Sequence, residues 1–487
     1  MKKHLTYVTR RSELSHVPIL VGKNRYTERY EASRITIHIE EGTMSKESRR
    51  SVRRSLLASL FGSTLEFYDF ILFGLAAALV FPHVFFPGSS PAVGLLSSFA
   101  TFAVGFVARP IGAIIAGHFG DRIGRRRILI FTLAGMGIAT GGIGLIPSYE
   151  SIGIWAPVLL VACRILQGLS LGGEWGGSVL MAVEQTTGTK NRGLLGSLPQ
   201  LGDPLGVLLA NGAFALVSMN LPKDALMSWG WRVPFILGMA IIVVGVWTRA
   251  KVVETPEFRK RMAAIEAPVR QPLISLLRAQ PLNFLLSMGC RVGNDVAFYM
   301  VTVFAITYVT QRGLMESSAI LVSTMVSAAL GVILVPVFGL IADRIGLRKM
   351  TLIGLVGLGI GVAAYFPLLN LGQPGIAIGA AVFTCGIAGK AFWAPYAGFL
   401  STIFPPETRY TGMSFSFQLS GIVGGGIAPF VAAWILGVTG SSTGITIYAL
   451  VAVAVSIICV SLVKSHATSA QDETSTVSGT GAIKESI

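Results

Sequence analysis

The sequence predicts an all-α membrane protein with about twelve transmembrane helices in two six-helix bundles. Hydrophobic residues make up 52% of the 487 residues and charged residues only 13%, whereas about a quarter of a soluble chain is charged. The mean hydropathy is +0.67. Apolar runs of about 20 residues, the length that a helix needs to cross a bilayer, recur along most of the chain. Two motifs occur once in each half, which indicates two halves with one plan.

Each predicted helix is an apolar run of sufficient length. Polar or glycine- and proline-containing loops separate the runs, for example FPHVFFPGSSPAVG after the first, PSYESIG after the third and NLGQPG after the ninth. In chain order, the predicted spans are 56–81, 94–117, 128–146, 153–182, 194–219, 233–250, 281–310, 318–342, 350–369, 374–402, 411–437 and 443–463.

The net charge of +15 is distributed as in a membrane protein rather than in a nucleic-acid-binding protein. Lys and Arg cluster before the first helix and after the second, fourth, sixth, eighth, tenth and last, whereas the loops between carry almost none. Cytoplasmic loops of membrane proteins carry such an excess of Lys and Arg. Both termini are therefore predicted to be cytoplasmic, in a bacterial cytoplasmic membrane.

Composition divides the chain into two bundles, a charged linker with short amphipathic helical pieces, and two polar tails, both of which are predicted to be disordered. The segments are an N-terminal tail 1–55, an N-terminal bundle 56–250, a linker 251–280, a C-terminal bundle 281–464 and a C-terminal tail 465–487. The stretch EEGTM can be the translation of a purine-rich ribosome-binding site. Met44 is therefore an alternative start, with residues 1–43 as a gene-calling artefact; N-terminal sequencing of the native protein distinguishes the two starts.

The sequence contains an internal repeat of two motifs, the first of which includes the loops that follow the second and eighth helices. GHFGDRIGRRRILI at 117–130 is echoed by GLIADRIGLRKMTLI at 339–353, and RGLLGSLPQLG at 192–202 by YTGMSFSFQLSG at 410–421. Transporters built from two repeated halves often hold their substrate between the halves, at the membrane midplane. The first of these loops resembles the signature loop of the major facilitator superfamily. That resemblance assigns a cytoplasmic gating network to Asp121, Arg122, Asp343 and Arg344, although a simple topology signal explains the neighbouring arginines equally well.

Five further motifs resemble the metabolite:proton symporter family within that superfamily. They are GSTLEFYDFILFG, FVARPIGAIIAGHFGDRIGRR, RILQGLSLGGEWGGSVLMAVE, GWRVPF and ETPEFR, and they occur in order over residues 50 to 465. The resemblance implies transport of organic acids such as shikimate, dicarboxylates and citrate, or of zwitterions such as proline and betaine. It does not identify the substrate.

Ionisable residues inside predicted spans are functional candidates, because each costs roughly 2.5 to 3.5 kcal/mol at mid-bilayer on insertion scales. They are Glu66, Asp69, Arg109, Arg164, Glu174, Asp203, Arg291, Asp295 and Lys390. Glu66 and Asp69 share a helix face, and two adjacent carboxylates cannot both ionise cheaply. Either is a candidate proton carrier, and pairing of one with an arginine is the alternative.

Candidate substrate-binding residues are mostly cations, because guanidinium groups bind carboxylates with two hydrogen bonds. Arg109 and Arg164 are two candidates, with structural ion pairs to Glu66, Asp69 or Glu174 as the alternative. In the seventh helix, Arg291 and Asp295 are expected to pair at i,i+4. The residues predicted to form a binding wall beside them are Asn294, Phe298, Tyr299 and Thr302, and Lys390 with Trp393 and Tyr396 is a second candidate group.

Asp203, in PQLGDPLGVLL, departs from the resemblance, because family members usually carry an apolar or small residue there. It is a candidate proton site, together with Asp295, or a substrate contact; the alternative is a helix-breaking cap beside Pro204. The glycine-rich runs LSLGGEWGG and SGIVGGGIAP lack the lysine of a phosphate-binding loop, so they predict close helix packing. No catalytic triad, metal-ligand spacing or nucleotide motif stands out, so neither an enzyme nor a cofactor or metal is expected.

The sequence therefore predicts a proton-coupled symporter that imports a small carboxylated metabolite, such as shikimate or a dicarboxylate, by alternating access. A proton/proline-betaine osmolyte symporter is the first alternative, followed by an efflux antiporter and a non-transporting nutrient sensor. The expected partners are the metabolite, the proton and the lipid bilayer, without nucleic acid. A monomer is expected.

Overall fold

The computed structural model describes residues 46–123, 125–172, 192–250, 272–405 and 408–466. The described residues from Arg50 onward belong to one compact unit. Several predictions lie outside the described residues: the Met44 start and the 1–43 segment, Glu174, the linker up to residue 271, the tail from residue 467, and the side chains of Asp121 and Arg122. The domain boundaries therefore stay predictions.

All regular structure in the described residues is helical, and it comprises twelve main helices. They are α1 (Lys46–Leu79), α2 (Pro91–Ile123), α3 (Arg125–Leu145), α4 (Trp155–Leu171), α5 (Gly193–Asn220), α6 (Arg232–Ala250), α7 (Pro281–Gln311), α8 (Ser317–Ile345), α9 (Leu347–Leu369), α10 (Pro374–Ser401), α11 (Arg409–Thr439) and α12 (Ser442–Leu462). Each predicted span coincides with one of them, which confirms the all-α membrane fold.

The helices differ in how well they meet the length requirement for a bilayer. Nine described spans are long and apolar enough, and α6 with its preceding segment Lys223–Gly230 forms a bent tenth. The apolar parts of α3 and α4, Ile130–Leu145 and Trp155–Leu171, are shorter. The fourth predicted span extended to residue 182, but the description stops at Gly172.

Helices α1 and α7 form the centre of the protein. In their most apolar windows, 83% and 89% of the residues are buried, compared with 33% in α8 and 39% in α12. Large side chains that point outward are apolar, for example Phe131, Leu216 and Val438, as a surface facing hydrocarbon requires. The core is thus built around the first helix of each predicted half.

Three long helices contain a π-helical turn, which is rare and frequently marks a functional site. These turns are Met300–Phe304 in α7, Val382–Ala388 in α10 and Ile422–Gly426 in α11. The turn in α10 ends directly before Gly389 and Lys390. It therefore sets the direction in which the Lys390 side chain projects from α10.

Glycines allow α2 and α4 to pack with their backbones in contact. A Cβ on Gly112 would lie 2.1 Å from the Leu169 carbonyl oxygen, and one on Gly168 would lie 2.2 Å from the Gly105 carbonyl oxygen. Small residues are what permits such close approach of helices in membranes. Gly172, a described glycine of the run LSLGGEWGG, makes the same close approach, because a Cβ there would lie 2.0 Å from the Arg109 carbonyl oxygen. The predicted packing role is therefore confirmed for this residue of the run.

We expect Gly168→Ala to destabilise the protein by about 1–3 kcal/mol, the usual cost of overpacking. Gly379→Ala in α10 is the matched control, because a Cβ there would meet nothing within 4 Å, and alanine gains up to about 1 kcal/mol of helix propensity over glycine. Thermal unfolding in detergent should show a lower midpoint for Gly168→Ala only. Equal midpoints would contradict the backbone contact between α2 and α4.

Candidate functional site

A small cavity lies among α5, α7, α9 and α10. One predicted half contributes a single lining residue, and the other contributes all the rest. The lining residues are Asp203 from α5, Asn294 and Phe298 from α7, Leu358 from α9, and Cys385, Gly389, Lys390 and Trp393 from α10. Asp203, Asn294 and Lys390, three residues predicted from the sequence as site candidates, are thus brought to one place.

An ion pair between Asp203 and Lys390 crosses this cavity. The Lys390 ammonium donates a hydrogen bond to Asp203 Oδ2, and each residue is only 3% exposed. Within the described part of the chain, Asp203 Oδ1 is buried without a hydrogen-bond partner. Gly331 of α8 makes room, because a Cβ there would lie 3.0 Å from Lys390 Cε.

Local backbone structure explains where Asp203 lies. A 3₁₀ turn, Pro199–Leu201, interrupts α5, and the α-helix restarts at Gly202. Asp203 therefore occupies a first helical turn, where the helix dipole stabilises a negative charge. It follows Gly193 by ten residues, or about 15 Å along a helix, which is close to the middle of ~30 Å of hydrocarbon.

Aromatic rings frame the cavity. The Phe67 ring of α1 lies edge-on to Trp393 at 5.8 Å and to Phe298 at 6.3 Å between centroids. Lys390 Nζ lies 5.6 Å from the centroid of Phe298. Gln200 and Trp393 exchange two hydrogen bonds, from Trp393 Nε1 to the Gln200 carbonyl at 3.2 Å and from Gln200 Nε2 to the Trp393 carbonyl at 3.3 Å. These rings can pack against a carbon skeleton.

Arg291 and Asp295 form the predicted i,i+4 ion pair beside this group, with 2.8 Å between Nε and Oδ1. Arg291 also donates to the Phe417 carbonyl oxygen at 3.2 Å, and its guanidinium lies 3.6 Å from the centroid of the Phe417 ring. Tyr299 packs edge-on against Phe102 at 5.5 Å. None of Arg291, Asp295 and Tyr299 is among the residues that line the described cavity, and their roles stay predictions.

Glu66 and Asp69 have different partners, although they lie on adjacent turns of α1. Glu66 accepts a hydrogen bond from Arg109 of α2, in a buried ion pair. Asp69 is fully buried and accepts hydrogen bonds from Gln167 Nε2 at 2.7 Å to each carboxylate oxygen. No Lys or Arg nitrogen of the described residues lies within ion-pair distance of Asp69.

Arg164 reaches Asp69 only through a neutral side chain. Its Nη1 donates to Gln167 Oε1 at 2.8 Å, and its Nη2 donates to the Phe102 carbonyl oxygen at 3.2 Å. The guanidinium lies 3.8 Å from the centroid of the Phe73 ring. Neither Arg164 nor Arg109 is among the residues that line the cavity, so substrate binding by either stays a prediction.

Thr140 of α3 completes the surroundings of Asp69, and no pattern in the sequence indicates this role. Thr140 Oγ1 lies 2.6 Å from Asp69 Oδ1, 2.8 Å from the Met136 carbonyl oxygen and 3.0 Å from Gln167 Nε2. A threonine inside an apolar helix is usually satisfied by its own backbone, so only the fold reveals the contact with Asp69.

Asp343 joins the two predicted halves at the end predicted to be cytoplasmic. Its carboxylate accepts hydrogen bonds from the backbone N–H of Gly193 at 2.5 Å and of Leu194 at 3.1 Å, at the start of α5. A helix N-terminus stabilises such a negative charge. A Cβ on Gly193 would lie 2.4 Å from the Gly339 carbonyl oxygen, so the helices meet backbone to backbone. Arg344 is exposed.

Contacts between the halves also occur nearer the opposite end. Thr324 Oγ1 of α8 donates to Asn211 Oδ1 of α5 at 3.0 Å. A Cβ on Gly74 of α1 would lie 2.7 Å from a methyl group of Val303 in α7. The two predicted halves therefore also touch at these positions.

The fold and these positions agree with a comparison against known families. The Major Facilitator Superfamily model matches residues 59–416 and, separately, 321–484. The chain belongs to the major facilitator superfamily. It is therefore a multi-pass membrane transporter and not an enzyme, and the predicted family resemblance is confirmed.

Curated relatives of this transporter carry small metabolites. The inner membrane metabolite transport protein YhjE of Escherichia coli K12 is 40% identical over 435 residues, which cover 86% of this chain and 97% of YhjE. The shikimate transporter of the same strain is 37% identical, with 82% and 90% covered. The proline/betaine transporter of the same strain is 32% identical, and the match covers 79% of this chain and 78% of that transporter.

Solved structures of a superfamily member have the same fold. The proton:xylose symporter XylE superimposes with a TM-score of 0.67 at 15% identity, covering 86% of this chain and 97% of XylE. A partially occluded, inward-open form of XylE from E. coli gives 0.63 at 17% identity, covering 86% and 99%. This likeness establishes the twelve-helix fold of the transporter.

We expect Asp343→Ala to open the transporter at the start of α5, because two backbone hydrogen bonds lose a charged acceptor, each worth about 1.5–3 kcal/mol. Ser197→Cys, introduced after replacement of the four native cysteines, reports on this region because Ser197 is fully buried. Its alkylation should become about tenfold faster or more. Glu316→Ala, at the exposed start of α8, is the matched control, and equal rates in both variants would contradict a closing role for Asp343.

Proposed function

We propose that this transporter is a proton-coupled symporter that imports a small organic metabolite carrying a carboxylate. The observation that carries the proposal is the buried Lys390 at mid-depth, which faces the cavity together with the Asn294 amide and the rings of Phe298 and Trp393. A buried ammonium group supplies three donors for a carboxylate. The aromatic walls suit the carbon skeleton of the substrate.

Asp69 is the proton carrier favoured by its surroundings. Glu66, Asp203 and Asp295 each contact a cation directly, whereas the described partners of Asp69 are neutral hydrogen-bond donors. A buried carboxylate without a paired cation is costly to keep ionised. The sequence left the role of proton carrier open between Glu66 and Asp69, and we assign it to Asp69.

The hydrogen bonds around Asp69 fit both the ionised and the protonated carboxyl group. Thr140 has one hydroxyl hydrogen and two acceptor sites. When that hydrogen bonds the Met136 carbonyl at 2.8 Å, Thr140 Oγ1 can accept from a protonated Asp69 at 2.6 Å. When Asp69 is ionised, the Thr140 hydroxyl and Gln167 can both donate to it. A proton can thus be taken up without leaving a buried group unsatisfied.

Charge balance links the two binding events. Among the described residues, the buried acids Glu66, Asp69, Asp203 and Asp295 are matched by the buried bases Arg109, Arg164, Arg291 and Lys390. An anionic substrate alone adds an uncompensated negative charge, and a proton on Asp69 cancels it. The occluded arrangement is then favoured when both are bound, and each bundle movement carries both across.

Osmolyte symport is the second candidate, because a proline/betaine transporter is among the relatives at 32% identity. The rings of Phe298 and Trp393 can also contact a quaternary ammonium group. The buried Lys390 disfavours a cationic group at the same position. Efflux by antiport and nutrient sensing have no comparable support.

Orientation completes the proposal. The arrangement of Lys and Arg in alternate loops favours cytoplasmic termini. It places the contact between Asp343 and α5 on the cytoplasmic side and makes the bacterial cytoplasmic membrane the expected location.

The primary test is uptake into proteoliposomes under an imposed inward proton gradient. Radiolabelled shikimate, 2-oxoglutarate, citrate, proline and betaine are offered in parallel, with and without a protonophore. Accumulation of a carboxylate that the protonophore abolishes supports the proposal. Uptake that continues unchanged after the gradient is collapsed would rule out proton symport.

Asp69→Asn should uncouple transport from the proton. Asparagine keeps the shape and accepts hydrogen bonds, but it cannot release a proton. We expect exchange of labelled for unlabelled substrate to persist at zero gradient, while gradient-driven accumulation is lost. Asp224→Asn, at an exposed position of the short helical segment Lys223–Gly230, is the matched control. Accumulation by Asp69→Asn at the wild-type level would exclude Asp69 as the proton carrier.

Thr140→Val should lower gradient-driven accumulation about tenfold, because loss of one buried hydrogen bond to a charged group costs roughly 1.5 kcal/mol or more. Thr140→Ser keeps the hydroxyl and should retain most of the activity. Exchange at zero gradient is measured on the same liposomes. A similar loss in both variants would mean that the methyl group, rather than the hydroxyl, is what matters.

A further inference from the structure

We propose that Asp203 and Lys390 act together as a selectivity filter for substrates with one carboxylate and, a few ångströms from it, a hydroxyl or ammonium group. The inference rests on the proposed function and narrows its substrate class. It assigns Asp203 to substrate recognition rather than to the proton. The two residues bind opposite ends of the substrate, from opposite predicted halves of the protein.

Without substrate, the Asp203 carboxylate occupies the place on Lys390 that the substrate carboxylate would take. Lys390 donates to Asp203 Oδ2, and the two side chains are nearly inaccessible, at 4% and 5% exposure. A carboxylate that enters the cavity presents to Lys390 the same group that Asp203 presents. It can therefore replace Asp203 on the ammonium without leaving a buried cation unpaired, which is the costly outcome.

The replacement leaves Asp203 in need of a hydrogen-bond donor. Its Oδ1 already has no partner among the described residues, although it is buried, and an ionised carboxylate can only accept hydrogen bonds. Besides Lys390, the side-chain N–H donors of the lining are the Asn294 amide and Trp393 Nε1, and Trp393 already donates to the Gln200 carbonyl oxygen. Neither donates to Asp203 Oδ1 in the structure. A hydroxyl or ammonium group on the substrate is the donor that satisfies Asp203.

Two chemical classes are excluded by the same argument. A fully N-methylated betaine has no N–H or O–H group, so Asp203 would lose Lys390 and gain no hydrogen bond. A dicarboxylate would bring its second negative charge towards Asp203, and like charges repel strongly at a buried site. Sites built to hydrogen-bond a substrate group can reject analogues without that group by up to about 10⁴-fold.

Substrate binding also changes the connection between the halves. In this structure, α5 and α10 are joined directly through the hydrogen bond from Lys390 to Asp203. A substrate held by its carboxylate at Lys390 and by its donor at Asp203 replaces that direct bond with a bridge through itself. Only a molecule with both groups keeps the halves joined, so recognition and closure depend on the same two contacts.

The test is competition for uptake of whichever labelled compound the proteoliposomes transport. The competitors are matched pairs: shikimate against cyclohexenecarboxylate, which lacks the hydroxyls, and proline against its N,N-dimethyl betaine, with succinate as the dicarboxylate. We expect the donor-bearing member of the pair that fits the cavity to inhibit at least about tenfold more strongly than its partner and than succinate. Equal inhibition within both pairs, or a dicarboxylate as the transported compound, overturns the inference.

Variants separate recognition from folding. Asp203→Asn should reduce the discrimination against succinate by about tenfold or more, because the repulsion and the internal competitor are both removed. Lys390→Gln should weaken inhibition by every carboxylate. The double variant D203N/K390Q removes both charges together and avoids an unpaired buried charge; it should remain folded without discriminating between succinate and shikimate. Asp224→Asn should behave as wild type.

The possible failures are distinct. If none of the compounds is taken up or inhibits uptake, the proposed carboxylate symport itself fails. If carboxylates are transported with a proton but Asp203→Asn keeps the wild-type order of competitors, symport stands and the role of Asp203 in selectivity is wrong. Folding of each variant is checked by size-exclusion chromatography, so that a general loss of protein is not mistaken for lost recognition.

Discussion

The pairing of buried charges in a medium that solvates them poorly is the constraint on which the structure depends. An isolated charge inside the membrane is costly, and breaking one side of a buried pair costs about 3–5 kcal/mol in soluble proteins. Two pairs, Glu66–Arg109 and Arg291–Asp295, lie within one predicted half each. They tie neighbouring helices or turns together, and they need not break when the halves move against each other.

The pair between Asp203 and Lys390 is different because it crosses from α5 to α10. Any movement that separates these helices must separate the two charges, unless another group takes their place. The same holds for Asp343, whose hydrogen bonds to Gly193 and Leu194 cross between α8 and α5. Half-buried Asp343 can be hydrated when the helices separate, whereas the buried Asp203 and Lys390 need another partner. Under the proposed mechanism, substrate is therefore needed where Asp203 meets Lys390 and not where Asp343 meets α5.

The sequence predicted features that depend on local pattern. The helices followed from the length of apolar runs, and the pair of Arg291 with Asp295 followed from helical spacing, because both residues lie on one helix. Pairs between helices could not be assigned from the sequence, which left Glu66, Asp69 and Glu174 as possible partners of Arg109 and did not indicate the pair of Asp203 with Lys390. Glu66 meets Arg109 across 43 residues of sequence, and Asp203 meets Lys390 across 187. Which partners meet depends on the rotation of each helix, and in α10 a π-helical turn alters that rotation just before Lys390.

The surroundings of Asp69 also could not be predicted from sequence spacing. Spacing placed it beside Glu66 and left the two equivalent, and only the positions of Gln167 and Thr140 on two other helices distinguish them. Neutral residues of this kind carry no charge signal, so a search for ionisable groups passes over them. Their contribution depends on being within 3 Å of the carboxylate, which is a property of packing.

Relatives that carry shikimate and relatives that carry proline or betaine are similar to this chain over about four-fifths of its length. Substrate choice in such a set must therefore depend on few positions within a common framework. Asp203 is suited to be one of them, because a change at this single residue alters three things together: the partner of Lys390, the charge that faces the substrate, and the bond between the halves. A neutral residue at this position would leave Lys390 to bind an anion without an internal competitor. With aspartate at this position, we expect every substrate carboxylate to displace Asp203 from Lys390. Only a substrate that also donates a hydrogen bond to Asp203 then compensates for the lost ion pair.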